Sequence, residues 1–171
     1  MSEALATVSR LGPVGMITLK GDLASAALSK AVSDLAGCAL PGALAVTEGR
    51  DAAVAWMAPD EVLVVLAHDA ARDGVGRLAG ALAAEHALVA NVSEARSVFE
   101  IKGDVRAVLA KLTPADVSEA TFSPGSFRRT RLAQVPVAFW MRDAETVHLI
   151  CFRSVDVYVS DLLRNAAAQR A

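Results

Sequence analysis

One short pattern occurs twice in this chain and limits the folds that it can adopt. ITLKGD spans Ile17–Asp22, and FEIKGD spans Phe99–Asp104. In both copies a β-prone apolar run ends in Lys-Gly-Asp, and apolar residues at helical spacing follow it. A Trp-Met pair recurs at nearly the same offset, beginning at Trp56 and at Trp140. The sequence therefore predicts an internal repeat.

Each copy of the repeat predicts a strand, a helix, two further strands and a second helix. The first half covers residues 1–92 and the second covers residues 93–171. The predicted fold class is α+β, with two pseudo-repeated ferredoxin-like halves packed into one body. In each copy the glycine gives the turn its backbone freedom, and the aspartate is predicted to cap the following helix. The predicted strands include Val14–Lys20, Ala52–Met57, Val62–Ala67, Ala87–Val92, Ser97–Lys102, Thr130–Trp140 and Thr146–Phe152.

Composition excludes several classes of function. The 171 residues carry a formal net charge of −2, so no basic surface for nucleic acid is expected. Hydrophobic residues make up 54% of the chain, and this excess suggests apolar surface that a partner covers. The N-terminal stretch does not read as a signal peptide, and no apolar run approaches the ~18 residues of a membrane span. We therefore expect a cytoplasmic protein with no membrane partner.

No arrangement of reactive side chains predicts a catalytic, cofactor or metal site. The histidines at 68, 86 and 148 lack metal-ligand spacing, and Ser93 and Ser97 lack a recognisable base. The glycines within Gly74–Gly80 come too long after the preceding strand to form a dinucleotide-binding fingerprint. They are predicted to begin a helix and to leave part of its surface without side chains. Cys38 and Cys151 are predicted to be buried free thiols. We expect no active site on this chain alone.

A basic cluster follows a Pro-Gly loop in the second half. Strand alternation predicts that Arg129 and Arg131 face one way and Arg128 the other. Two interpretations remain open: a solvated edge strand defended by charge, or a patch for an acidic partner or ligand. The predicted partner-interface residues, drawn from this loop and the last helix, are Phe122, Phe127, Arg128, Arg129, Arg131 and Tyr158.

A series of short motifs in this order resembles the gamma subunit of heterotetrameric sarcosine oxidase. The motifs are Leu40–Gly42, Trp56–Glu61, Asn91–Ser93, Phe99–Gly103, Phe122–Gly125, Arg129–Ala133 and Phe152–Ser154. One departure is Met57-Ala58, which stands where the family usually has glycine before Pro59-Asp60. The layout is also similar to the folate-binding domain of the aminomethyltransferase superfamily, which uses repeated β-α-β-β-α halves.

The resemblance implies an accessory role in a larger enzyme. The assembled complex would oxidise sarcosine to glycine and pass a one-carbon unit to tetrahydrofolate. Its FAD, FMN, NAD and tetrahydrofolate would lie off this chain, and a zinc would lie on the small subunit. The partners would be the alpha, beta and delta subunits, with this chain as a non-catalytic structural component.

Two other functions remain open. The first is a stand-alone folate-binding module, which needs a carboxylate to hold the pterin; Glu100 and Glu145 are the candidates, although alternation points Glu100 outward. The second is a catalytic aminomethyltransferase, which the length disfavours because the chain is about half of that expected from the resemblance.

Overall fold

The computed structural model describes residues 4–168. They form two compact units, which we call the first unit (residues 13–94) and the second unit (residues 4–12 and 95–168). Each unit is built on a five-stranded antiparallel sheet, and the α+β prediction is confirmed. The strands are β1 Ala6–Arg10, β2 Val14–Lys20, β3 Val46–Glu48, β4 Ala52–Ala58, β5 Glu61–Ala67, β6 Leu88–Asn91, β7 Arg96–Gly103, β8 Phe127–Leu132, β9 Val135–Asp143 and β10 Thr146–Phe152. The helices are α1 Ala26–Ala36, α2 Ala71–Ala81, α3 Val105–Ala110 and α4 Asp156–Ala168.

In the first unit the strand order is β3-β4-β5-β2-β6. Alternate residues of the central strands pack against α1 and α2, as strand periodicity requires. The core that results contains Ile17, Leu19, Leu28, Ala31, Val32, Ala36, Val54, Val62, Val64, Ala71, Leu78 and Leu82.

In the second unit the order is β1-β7-β10-β9-β8. Position by position, this matches the order of the first unit read from β6 to β3, so the sequence repeat is also a repeat of topology. The inward residues of the sheet pack with α3 and α4, and they include Phe99, Ile101, Val137, Phe139, Val147, Leu149, Val159 and Leu163.

The predicted division at residue 92 needs one correction. Strand β1 pairs along its whole length with β7, from Ala6 opposite Gly103 to Arg10 opposite Phe99. Residues 4–12 therefore belong to the second unit rather than to the predicted first half. The physical reason is long-range pairing, because β1 takes the sheet position that β6 takes in the first unit. The boundary between Glu94 and Ala95 lies close to the predicted one.

The predicted strand Thr130–Trp140 is also wrong, because the structure divides it into a hairpin. Strands β8 and β9 pair from Phe127 opposite Trp140 to Leu132 opposite Val135. The chain reverses at Ala133, which has a φ of 50°. Strand β8 is the edge of its sheet, so its arginines do lie on an edge strand.

The two Lys-Gly-Asp turns differ in mechanism. In the second copy, Gly103 has a φ of 129°, and the Asp104 side chain accepts from the Ala107 amide at 3.1 Å and caps α3. In the first copy the cap of α1 is Ser25, not the predicted aspartate. Asp22 instead accepts from the Ala24 amide at 2.9 Å within the turn. The predicted aspartate cap is therefore right for the second copy and wrong for the first, because α1 begins three residues further on.

Candidate functional site

The sheet face of the second unit that points away from α3 and α4 carries a row of side chains in which a carboxylate, an imidazole and an indole are neighbours. Strand register places five residues opposite one another across the five strands: Ser9, Glu100, His148, Trp140 and Phe127. The imidazole Nε2 of His148 lies 3.2 Å from the Glu100 carboxylate. On the other side of His148, the Trp140 ring contacts the imidazole edge-on, with ring centroids 5.6 Å apart. Glu100 thus points away from the helices, as predicted, but its carboxylate is engaged.

The Arg128 side chain folds back onto the loop that precedes β8. Its guanidinium lies 5.4 Å from the centroid of the Phe122 ring and donates to the backbone carbonyls of Phe127 and Thr121. Arg129 and Arg131 are exposed, and their strand positions put them on the opposite face of the sheet from Arg128. The predicted alternation of the three arginines is confirmed. Only the pair on the outer face is presented to solvent.

Two predicted interface residues are not on the surface. Phe122 and Phe127 are each 0% exposed. The Phe122 ring packs edge-on against Phe139, with centroids 5.4 Å apart. Phe127 lies opposite the buried Trp140. The prediction that these rings contact a partner is corrected, because both side chains are already fully buried within the chain.

Three exposed apolar side chains lie within residues 152–158, where β10 leads into α4. Phe152 is 51% exposed, Val157 69% and Tyr158 46%. Sequence reasoning selected Tyr158 but missed the other two. Alternation puts Phe152 on the same sheet face as Ile150, but Ile150 is 3% exposed. Alternation alone therefore could not have predicted that Phe152 is exposed.

An ion pair between the half-exposed Arg10 and the buried Asp156 fixes the start of α4. The Asp156 side chain is 9% exposed and lies 2.6 Å from the Arg10 guanidinium. The Ser97 hydroxyl also donates to the Asp156 carboxylate at 2.7 Å, and Arg10 donates to the Ser97 hydroxyl at 3.0 Å. These contacts link β1, β7 and the start of α4.

The other reactive side chains have structural contacts. His68 pairs with Glu94 at 3.0 Å. The Ser93 hydroxyl accepts from the Met16 amide at 2.9 Å and donates to the Asn91 side chain at 2.6 Å. Within residues 4–168, no three histidine, cysteine or acidic side chains are grouped to hold a metal ion. In the same range, no helix has the length and apolarity needed to cross a membrane.

The two thiols are expected to differ in reactivity. Burial raises the pKa of Cys151 from 9.0 to about 11, and the nearby Asp156 charge adds to the shift. Because folding favours the neutral thiol, the free energy of unfolding is expected to fall as pH rises from about 9 to about 11.

Cys38 is only partly buried. A Cys38→Ser variant should react with a thiol reagent only after denaturant is added, and rapid labelling of the native variant would contradict this.

Comparison with known proteins identifies the family. The family model described as sarcosine oxidase, gamma subunit family matches residues 20–169. The chain belongs to this family. Curated members with similar sequences include sarcosine oxidase subunit gamma of Corynebacterium sp. (strain P-1), 32% identical over 140 residues, and of Corynebacterium sp. (strain U-96), 34% identical over 130 residues. These matches cover 80% and 74% of this chain and 66% and 60% of the relatives, so the chain spans less than two thirds of their length.

Solved structures agree with the family and the fold. Heterotetrameric sarcosine oxidase from Corynebacterium sp. U-96 contains a chain that matches with a TM-score of 0.86 and 27% identity, covering 100% of this chain and 90% of that one. The aminomethyltransferase T of the glycine cleavage system from Bartonella henselae matches with a TM-score of 0.64 and 14% identity. That match covers 94% of this chain and 45% of the other, and it bears on the fold alone. The predicted likeness to the aminomethyltransferase fold is confirmed.

Proposed function

We propose that this chain is a non-catalytic gamma subunit of a heterotetrameric, sarcosine oxidase-type flavoenzyme, with a role in structure and assembly. The observation that carries the proposal is the full-length structural match to a chain of such a heterotetramer, at a TM-score of 0.86. The assembled enzyme would convert sarcosine to glycine in the cytoplasm and transfer the one-carbon unit to tetrahydrofolate. FAD, FMN, NAD and zinc would be bound by the alpha, beta and delta subunits.

The side-chain chemistry of the described residues supports an accessory role. Two sheltered carboxylates serve structural contacts: Asp156, 9% exposed, pairs with Arg10, and Glu61, 12% exposed, lies 4.0 Å from the Lys20 ammonium. The Glu100 carboxylate contacts His148. Buried hydroxyls do the same, as at Ser93 and Ser97. A general base must reach the proton that it removes, whereas these groups hold strands and a helix together.

The folate-binding module remains the alternative, because the fold is shared with an aminomethyltransferase. A carboxylate that holds a pterin must offer both oxygens to paired donors. Glu100 Oε2 is 3.2 Å from His148, and Glu145 lies exposed in the turn between β9 and β10. Either residue would need a rearrangement or a neighbouring wall to form such a site. This weakens the alternative relative to the accessory role.

Purification of the tagged full chain from its own cells tests the proposal. We expect a yellow complex in which three other subunits accompany the chain at constant ratio, with the visible absorbance of bound flavin. A colourless chain that elutes alone would contradict the accessory role. Titration of that lone chain with tetrahydrofolate by calorimetry would then decide the alternative, since saturable binding requires a folate site on this chain.

A further inference from the structure

A leucine in a surface turn of the first unit is both exposed and held in a strained backbone conformation. Leu44 is 51% exposed and has a φ of 58°. A positive φ crowds the side chain of an L-residue, so glycine or asparagine usually occupies such positions and a bulky residue there is an outlier. Within residues 4–168, the other non-glycine residue with a positive φ is Ala133, whose side chain is a single methyl group. Two unfavourable features thus coincide at Leu44.

The turn around Leu44 is hydrogen-bonded to its surroundings. The Ala45 amide donates to the Gly42 carbonyl at 3.3 Å, and the Ala45 carbonyl accepts from the Trp56 amide at 3.1 Å. Leu44 therefore takes the third position of a four-residue turn, where a positive φ ordinarily selects glycine. Leu40 of the same loop packs against the core of the first unit, whereas half of Leu44 stays in contact with solvent. The requirements of the turn thus do not account for a leucine at this position.

The segment that carries Leu44 also lacks charged side chains. Residues 35–47 contain no aspartate, glutamate, lysine, arginine or histidine, and no longer stretch of this kind occurs in the chain. The next longest, residues 132–141, lies largely in β9, a strand that is paired on both sides. The stretch around Leu44 instead connects α1 to β3 and includes the exposed Gly42 and Ala43. Depletion of charge is a property of the centres of protein interfaces.

We propose that Leu44 is a docking anchor that inserts into an apolar, uncharged pocket of another subunit. This inference rests on the proposed function of the chain as a subunit of a larger complex. Strained backbone positions cluster at functional sites, where the strain serves a purpose other than stability. Burial of the exposed part of Leu44 would stabilise the contact. Because the turn is already formed, little conformational entropy would be lost on docking.

A second copy of this chain is the less suitable partner. A protruding leucine and the pocket that receives it are different surfaces, so contact between identical chains would be head-to-tail and would build rings or open filaments. Two surface clefts of the described residues are also lined by charged groups. They are the cleft beside α2, with Asp69, Arg72, Asp73 and Arg77, and the cleft beside α3, with Arg106 and Asp116. A subunit of different sequence is therefore the expected occupant.

Competition between two forms of the full chain measures the contribution of Leu44 to assembly. A tagged variant and the untagged wild-type chain are produced together in the native cells, and the flavin-containing complex is isolated by gel filtration. Mass spectrometry then compares the ratio of the two chains in the complex with their ratio in the lysate. Leu44→Asn suits a positive φ but lacks the apolar side chain, so its share should fall about tenfold. Leu44→Met keeps an apolar side chain and should stay within about twofold of the wild type.

Two matched controls and a melting experiment separate docking from folding. Leu88→Ala truncates a leucine of the first unit that is 56% exposed, and Ala133→Gly relieves the other positive φ. Both should enter the complex as the wild type does. Because asparagine tolerates the turn better than leucine, the full chain with Leu44→Asn should melt at the wild-type temperature or above it. A lower melting temperature would show that the leucine stabilises its own chain, and would overturn the inference.

A photo-reactive residue in place of the exposed Ala43, next to Leu44, identifies the occupant. We expect a crosslink to an apolar segment of a different subunit. A crosslink to a second copy of this chain or to a charged segment, or the absence of any crosslink, would overturn the inference. So would Leu44→Asn that enters the complex as well as Leu88→Ala does. If the wild-type chain itself is absent from any flavin-containing complex, the proposed function fails instead, and the two failures are thereby distinguished.

Discussion

A chain that lacks residues 1–12 is expected to lose the cooperative fold of the second unit. Strand β1 pairs with β7 at five positions, and Ala6 is part of the core. Arg10 also neutralises the buried Asp156. Together these losses should exceed about 5 kcal/mol, which is comparable to the whole stability of a small domain. Near-UV circular dichroism and urea unfolding should show a missing or strongly shifted transition.

The ion pair alone accounts for a large part of this effect. Removing one partner of a buried pair costs about 3–5 kcal/mol, because a charge is left without compensation. Arg10 is 48% exposed while Asp156 is 9% exposed, so water reaches one side and the lower end of that range applies. The Ser97 hydroxyl remains as one donor to the carboxylate. The rest of the loss comes from the exposed edge of β7, which would also favour aggregation.

Point variants and an added peptide separate the contribution of Arg10 from that of β1 pairing. Arg10→Ala should lower the free energy of unfolding by about 3 kcal/mol, whereas Arg50→Ala, at an exposed arginine of the first unit, should leave it almost unchanged. A synthetic peptide of residues 4–12 added to the shortened chain should restore part of the transition. Amide exchange should report the greatest loss of protection in β7. A shortened chain that unfolds like the full chain would show that β1 contributes little.

The repeat of the fold could be predicted because its signals are local. Turns, caps and short apolar runs are encoded within about ten residues, and β2, β5, β7 and β10 lie close to their predicted positions. The placement of β1 could not be predicted, because nothing near Ala6–Arg10 specifies pairing with residues 96–103. The division between β8 and β9 depended on one turn residue, Ala133, with an uncommon positive φ. Both errors concern long-range pairing or a single backbone angle rather than composition.

The candidate surface was predicted only in part, for a related reason. Aromatic rings beside arginines resemble an interface hot spot in sequence, but burial is decided by three-dimensional packing. Phe122 fills the core against Phe139, and Arg128 covers it. Phe152 carries the same composition signal beside Arg153 and is half exposed. Strand alternation does not separate the two cases, because Phe152 ends β10 whereas Phe122 lies in the loop before β8.

The two copies of the repeat share a glycine, Gly21 in the first and Gly103 in the second. Gly103 has a φ of 129°, and a β-carbon there would lie 2.6 Å from the Leu5 carbonyl oxygen and 2.9 Å from the Ala6 α-carbon. Both obstacles are backbone atoms, which cannot move aside without disturbing β1. Strain of this kind costs about 1–3 kcal/mol, and the overpacking adds a similar amount. Gly103→Ala should therefore lower the melting temperature by about 10 °C or more.

Gly21, the counterpart in the first copy, provides the matched control. Its nearest obstacle would be the Leu28 Cδ1 methyl group at 3.0 Å, the end of a flexible side chain. Gly21→Ala should accordingly change the free energy of unfolding by less than about 1 kcal/mol. Calorimetric melting of the two variants measures the difference directly. Equal losses would mean that both turns depend on glycine in the same way, as the sequence repeat suggests. Unequal losses would follow if β1 packs against only the second turn, so that the contact with Leu5 and Ala6 makes glycine indispensable at Gly103.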